Sequence, residues 1–225
     1  MIDTFLKGNI MAAENNLTIQ KNCQYELVIK KSRFICSLSR IKDEDDAQQF
    51  ISQVQADNRK ATHNCFAYQV GKDDHIQRES DNGEPSGTAG VPILQALQME
   101  KLHDVCAVVT RYFGGIKLGA GGLIRAYSNV TTDAIHQAGI VNRVLQQLLT
   151  ITVDYAEHDA LTYYLKQHDL AIDHEEYGVK VAVTIFVDQN ESQAVQDALT
   201  NRFNGRLTIK AAGQHIREVP VTNAN

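Results

Sequence analysis

The spacing of hydrophobic and polar positions changes along this chain, and the changes outline its elements. Residues 25–41, YELVIKKSRFICSLSRI, read as two short strands, with Lys30, Lys31 and Arg33 near their junction. Residues 43–58 put acids first and then Ala47, Phe50, Ile51 and Val54 at helical spacing, the order expected at a helix N-terminus. HNCFAYQVG at 63–71 alternates with period two. His63, Cys65, Ala67 and Gln69 share one face, and Asn64, Phe66, Tyr68 and Val70 the other. A turn at 71–74 leads to HIQRES as a partner strand. SDNGEPSGTAG at 80–90 reads as a loop, and Pro92 suits the first turn of a helix carrying Ile93, Leu94, Leu97 and Met99. VCAVVT at 105–110 is an unbroken apolar run, as in a buried strand. Beyond a glycine-rich stretch, Leu123, Ile124, Tyr127, Val130, Thr131, Ala134, Ile135 and Ala138 recur at steps of three and four, predicting a helix that ends at Gly139.

The C-terminal third has a clearer rhythm. A strand at 148–155, a helix at 158–168 and a hairpin of LAIDHEEY with VKVAVTIFV are followed by a helix at 191–203 and a strand at 205–212. That β-α-β-β-α-β order is the split βαβ arrangement of ferredoxin-like domains. The expected organisation is α+β: a flexible segment over 1–20, an N-terminal domain over 21–143 and a ferredoxin-like domain over 146–220.

Composition narrows the classes. The chain has 225 residues, 43% of them hydrophobic, enough for a proper core without disulfide staples. No apolar run reaches the length of a membrane span, and residues 1–16 lack a signal peptide's basic-then-apolar order, so a cytoplasmic protein is expected. The widely spaced Cys23, Cys36, Cys65 and Cys106 form no C-x-x-C pair and read as reduced thiols. The net charge of −5 arises beyond Leu145, because the preceding residues hold 16 Lys+Arg and 16 Asp+Glu. Any RNA contact must therefore use a local basic patch.

Two loops carry candidate chemistry. RYFGGIKLGAGGLIRAY at 111–127 holds Gly114, Gly115, Gly119, Gly121 and Gly122 between a strand and a helix start. That order exposes backbone N–H groups suited to an anion, and Arg111, Lys117 and Arg125 surround it with positive charge. The same glycines could instead serve close packing. The spacing is neither a Walker loop nor a dinucleotide fingerprint. The other loop offers Asp81, Glu84, Ser86 and Thr88. Its carboxylates could do acid–base work or bind metal, or the loop could simply be ordered by Asp81 and Ser86 bonding their own backbone. His63 and Cys65 could begin a zinc site, but further ligands at matching spacing are missing. Lys30, Lys31 and Arg33 read either as a solvated turn or as an extension of the anion surface.

Taken together, SDNGEPSGTAGVPIL, VVTRYFGGIKLGAGGLIRAY, KKSRFI and HNCFAYQVG resemble the YigZ/IMPACT family from about Tyr25 to the end of the chain. The resemblance implies an N-terminal domain with the fold of a small-subunit ribosomal protein and of GHMP kinases, and a C-terminal ferredoxin-like domain. The last two domains of elongation factor G have similar folds in the same order, which points to translation or RNA by analogy. Eukaryotic relatives are translational regulators that bind a partner of a stress kinase, partly through an N-terminal domain that the matched region does not include. The family often has two acids before Gly-Glu-Pro, where this chain has Asp81-Asn82, and this weakens a metal site. The resulting expectation is a translation-linked protein that binds RNA, the ribosome or a translation-regulating protein through the basic glycine-rich surface. No catalytic residue, metal ligand, cofactor or membrane partner is assigned. The competing expectation is an enzyme acting on a phosphorylated small molecule or a peptide through the same loop with Asp81 and Glu84.

Overall fold

The structure, a computed structural model, describes residues 16–221 except Lys72. It is α+β, with antiparallel sheets. Two compact units divide the described chain, one formed by residues up to Asn142 with Val219–Val221, the other by Arg143–Glu218.

The first unit is built on a five-stranded sheet. Its strands are β2 (Cys23–Ile29), β3 (Ser32–Arg40), β4 (His63–Val70), β5 (Ile76–Ser80) and β6 (Val105–Tyr112), in the order β2-β3-β6-β4-β5. β6 was read as buried because it is apolar throughout, and its central place explains that pattern. Phe34, Cys36, Cys65, Ala67, Val105, Ala107 and Val109 pack against α2 (Gly90–Met99) and α3 (Ala120–Ala138). Tyr68, Val70, Cys106 and Val108 pack against α1 (Glu44–Asp57) on the other side. Successive residues of β4 and β6 thus enter different cores, as period-two alternation requires. Asp43 caps α1 by accepting from the Asp46 N–H at 2.9 Å, and Glu44, Asp45 and Asp46 fill its first turn.

Residues 17–19 correct part of the expected flexible segment. They form β1 (Leu17–Ile19), which pairs with residues 140–142 and buries Thr18 and Ile19 completely. A short apolar strand with one partner far along the chain leaves little local signal. The rest of that segment, residues 1–15, lies outside the described residues. α3 buries seven of the eight positions named above for its face; Ile124 is 40% exposed and Ala126 takes its place.

The second unit contains most of β7 (Ile140–Val153), then α4 (Tyr155–Gln167), β8 (Ile172–Tyr177), β9 (Val181–Asp188), α5 (Ser192–Arg202) and β10 (Thr208–Pro220). β7 pairs with both β9 and β10, and β8 with β9, so these strands run β10-β7-β9-β8. Val181, Val183, Ile185 and Val187 alternate into a core with Leu149, Ile151, Leu161, Leu165, Val195 and Leu199.

Candidate functional site

The site lies in the first unit, where the C-terminal end of β6, the loop 81–90 and the start of α3 meet. β4 and β6 are adjacent and in register, His63 opposite Arg111, so both side chains come to the same end of the sheet. The loop 81–90 is organised by Asp81. Its carboxylate accepts from the backbone N–H of Gly87 at 2.7 Å and from those of Ala89 and Gly90 at 2.9 Å each. It therefore caps α2, whose own N-cap residue, Ala89, supplies no side-chain bond. Burial works against the charged carboxylate, but these N–H donors outweigh it and hold Asp81 below the usual carboxylate range. Thr88 closes the loop by donating to the Pro85 carbonyl at 2.6 Å, while Ser86 is exposed. Asn82, at the position where the family pattern often has a second acid, accepts from the Asn64 N–H at 2.9 Å through its side-chain oxygen. Asp81 and Thr88 thus serve the order of the loop.

Glu84 is turned inward, 8% exposed, and is the centre of the site. Its Oε1 accepts from Arg111 Nη1 at 2.5 Å and from the Tyr127 hydroxyl at 2.8 Å. Its Oε2 faces His63 Nε2 at 3.9 Å. Burial above all, then the neighbouring Cys65 and Glu84, drives the Tyr127 hydroxyl far above its ordinary range, so it remains a donor. Cys65 donates to the Asp81 carbonyl at 2.9 Å, and burial pushes its thiol up to about 12. A thiolate metal ligand is correspondingly costly there. Among the described residues no group of three or more His, Cys, Asp or Glu could hold a metal ion.

A cleft of about 450 Å³ opens over this network, lined by residues including His63, Glu84, Arg111, Phe113, Lys117 and Ala120. The structure separates the three cations named from the sequence. Arg111 is 5% exposed, bound to Glu84 and packed against the rings of Phe34 and Phe113, 5.2 and 5.5 Å from their centroids. Lys117 is exposed at the cleft, and among the described residues it has no ion-pair partner. Arg125 is exposed on α3 and is absent from the cleft lining.

The five glycines do different work. A Cβ on Gly114 would run into the backbone of Lys31 and Ser32, so this glycine is fixed by the β2–β3 turn. Gly115 and Gly119 have φ of +84° and +72°. A Cβ on Gly121 would meet nothing within 4 Å, so packing does not demand glycine there, whereas one on Gly122 would crowd the Leu118 Cβ at 3.1 Å. α3 has no side-chain cap at Gly119.

Gly114 also joins the basic turn to the site. Its N–H donates to Ser32 Oγ at 3.1 Å. Lys30 and Lys31 form the two-residue tip between β2 and β3, exposed and with φ of 45° and 65°. Arg33 is held by Glu26 in a two-pronged pair at 2.8 and 2.9 Å. Sequence reasoning missed Phe113 and Tyr127 as site residues and gave His63 only a weak metal role. Phe113 next to a glycine pair was the available signal; the partners of Tyr127 and His63 depend on register.

The class defined by this fold and cleft is an α+β protein with a pocket built over a buried ion pair. Comparison with known proteins gives the family. The Impact N-terminal domain model matches residues 30–135, and a domain of unknown function, DUF1949, matches residues 151–206. "IMPACT family member YvyE" of Bacillus subtilis is 44% identical over 86% of this chain and 89% of its own length. "IMPACT family member YigZ" of Escherichia coli is 35% identical over 81% and 91%. A solved structure titled "Crystal structure of an hypothetical protein" matches with a TM-score of 0.56 at 30% identity, over 87% of this chain and 96% of that one. The chain belongs to the IMPACT family. No helix among the described residues is long and apolar enough to cross a membrane.

Proposed function

We propose that this protein binds single-stranded RNA in a translation-linked role, with the cleft and the adjoining Lys30–Lys31 tip as its RNA surface. The observation that carries the proposal is the arrangement around Gly114. It packs an exposed two-lysine turn directly against the loop that bears Lys117 and the exposed Phe113. Cations beside an exposed aromatic ring suit a phosphate backbone with unstacked bases. Lys30 and Lys31 take over the place first given to Arg111 and Arg125, because Arg111 is consumed by Glu84. The strand order β10-β7-β9-β8 supports a ferredoxin-like second domain, and with it the analogy to elongation factor G. The two lysines also occupy a left-handed turn that asparagine and glycine fill more easily, so local backbone preference does not account for lysine there.

The test is co-sedimentation with ribosomes and anisotropy with short single-stranded RNA, between roughly 50 and 200 mM salt. Replacing Lys30, Lys31 and Lys117 together by alanine should weaken both and flatten the salt dependence by about 0.7 units for each lost phosphate contact. Arg125→Ala should do less. Absence of RNA and ribosome binding by the folded wild type overturns the proposal. A catalytic reading has one observation in its favour, the approach of His63 Nε2 to Glu84 Oε2. Turnover of a phosphorylated small molecule or peptide that is lost in His63→Ala would support that reading.

A further inference from the structure

We infer that the cleft takes one unstacked guanine base of a single-stranded RNA, an inference that rests on the RNA-binding reading above. Three features of the cleft select this ligand. The first is a pair of acceptors. His63 Nδ1 lies 2.9 Å from the Asn82 carbonyl oxygen, which can only accept, so Nδ1 carries the proton. In the tautomer with that proton on Nδ1 alone, Nε2 presents a lone pair. Glu84 spends Oε1 on Arg111 and Tyr127 and leaves Oε2 facing that lone pair at 3.9 Å. Two acceptors at this separation make no hydrogen bond with each other. A group with two adjacent donors would satisfy both. Guanine offers N1–H and N2–H₂ side by side on its Watson–Crick edge, whereas adenine, cytosine and uracil each offer one donor group there.

The second feature is a stacking platform. Phe113 lines the same cleft, is 47% exposed, and has the Arg111 guanidinium over its ring. A ring supported in that way and half open to solvent suits a base laid against it. The third is size and charge. The space of about 450 Å³ falls within the range of small-ligand pockets, and Lys117 stands among its lining residues for the adjoining phosphate. Arg111 stays with Glu84 through Oε1, so Oε2 is not used by that pair.

The experiment uses the full chain and a short labelled oligouridine carrying one central guanosine. It is compared with the same RNA bearing inosine at that position, which lacks the N2 amino group, and with uridine throughout. The guanosine RNA should bind roughly tenfold tighter than either. His63→Ala and Phe113→Ala, checked for intact circular dichroism, should bring the three RNAs together in affinity. Equal binding of the three RNAs by the wild type overturns the inference and leaves the RNA-binding reading standing. Discrimination that survives both substitutions also overturns it, because the guanine is then read elsewhere. Failure to bind any RNA overturns both, and capture of a protein in place of RNA counts the same way.

Discussion

Removing the Glu84 carboxylate isolates two buried groups at once. In Glu84→Ala, Arg111 remains 5% exposed without its counter-charge, and the fully buried Tyr127 hydroxyl loses its acceptor. Arg111 Nε is already buried without a hydrogen-bond partner, so the guanidinium has little with which to replace Glu84. Breaking a buried pair from one side costs about 3–5 kcal/mol, and an orphaned buried hydroxyl about 1–3 kcal/mol. The two penalties overlap, because one carboxylate oxygen serves both donors, and we expect a total of about 4 kcal/mol. Arg111→Met should cost less, since the Tyr127 hydroxyl still donates to Glu84 Oε1 in that variant. The double variant Glu84→Leu with Arg111→Met removes both charges and should recover at least about 2 kcal/mol relative to additivity. The assay is urea unfolding followed by far-ultraviolet circular dichroism, with the slope against urea compared across the cycle. A cost below about 1 kcal/mol for Glu84→Ala, or strict additivity in the double variant, refutes the argument that this buried pair holds the loop to β6.

Four further variants test the sources of stability, the first of them against binding as well. Lys30→Asn with Lys31→Gly relieves two positive-φ lysines and should raise stability by about 1 kcal/mol while weakening RNA binding; a loss of stability counts against the turn reading. Gly114→Ala should be destabilising by at least about 1–3 kcal/mol because its Cβ meets backbone that cannot move aside. Gly121→Ala has open space in a helical first turn and should stabilise by roughly 0.5–1 kcal/mol, so equal melting shifts for the two alanines would contradict this division. Asp81→Asn should be less stable than wild type at neutral pH. Because the folded protein holds Asp81 below its ordinary value of 3.8, that advantage is complete above that value and is lost as pH falls through the lower folded value. Melting temperatures of the two proteins should therefore converge in acid, and a constant gap down to pH of about 2 would remove the carboxylate from the explanation.

What the sequence disclosed and what it concealed follow from the range of the interactions. The elements around the site were legible because their causes are local. Alternation marked β4, continuous apolarity marked the central β6, and the three-four spacing with Gly139 marked α3. The β1 strand was not, because Ile19 is buried by pairing with residues more than a hundred positions away. At the site, residue types singled out two loops but not the contacts of each side chain. Arg111 looked like an anion-binding cation, yet register placed it beside a carboxylate 27 positions earlier, while Asp81 was open to acid–base work or to loop ordering, and its bonds to three backbone N–H groups match the second. The five glycines show the same limit in miniature. Gly114 is explained by a neighbouring turn, Gly115 and Gly119 by their own dihedral angles, and Gly121 by neither. A helical glycine that packing does not require costs stability relative to alanine. Gly121 sits in the first turn of α3, next to Ala120 of the cleft lining and without a side-chain cap, and neither packing nor its dihedral angles give a reason for glycine there.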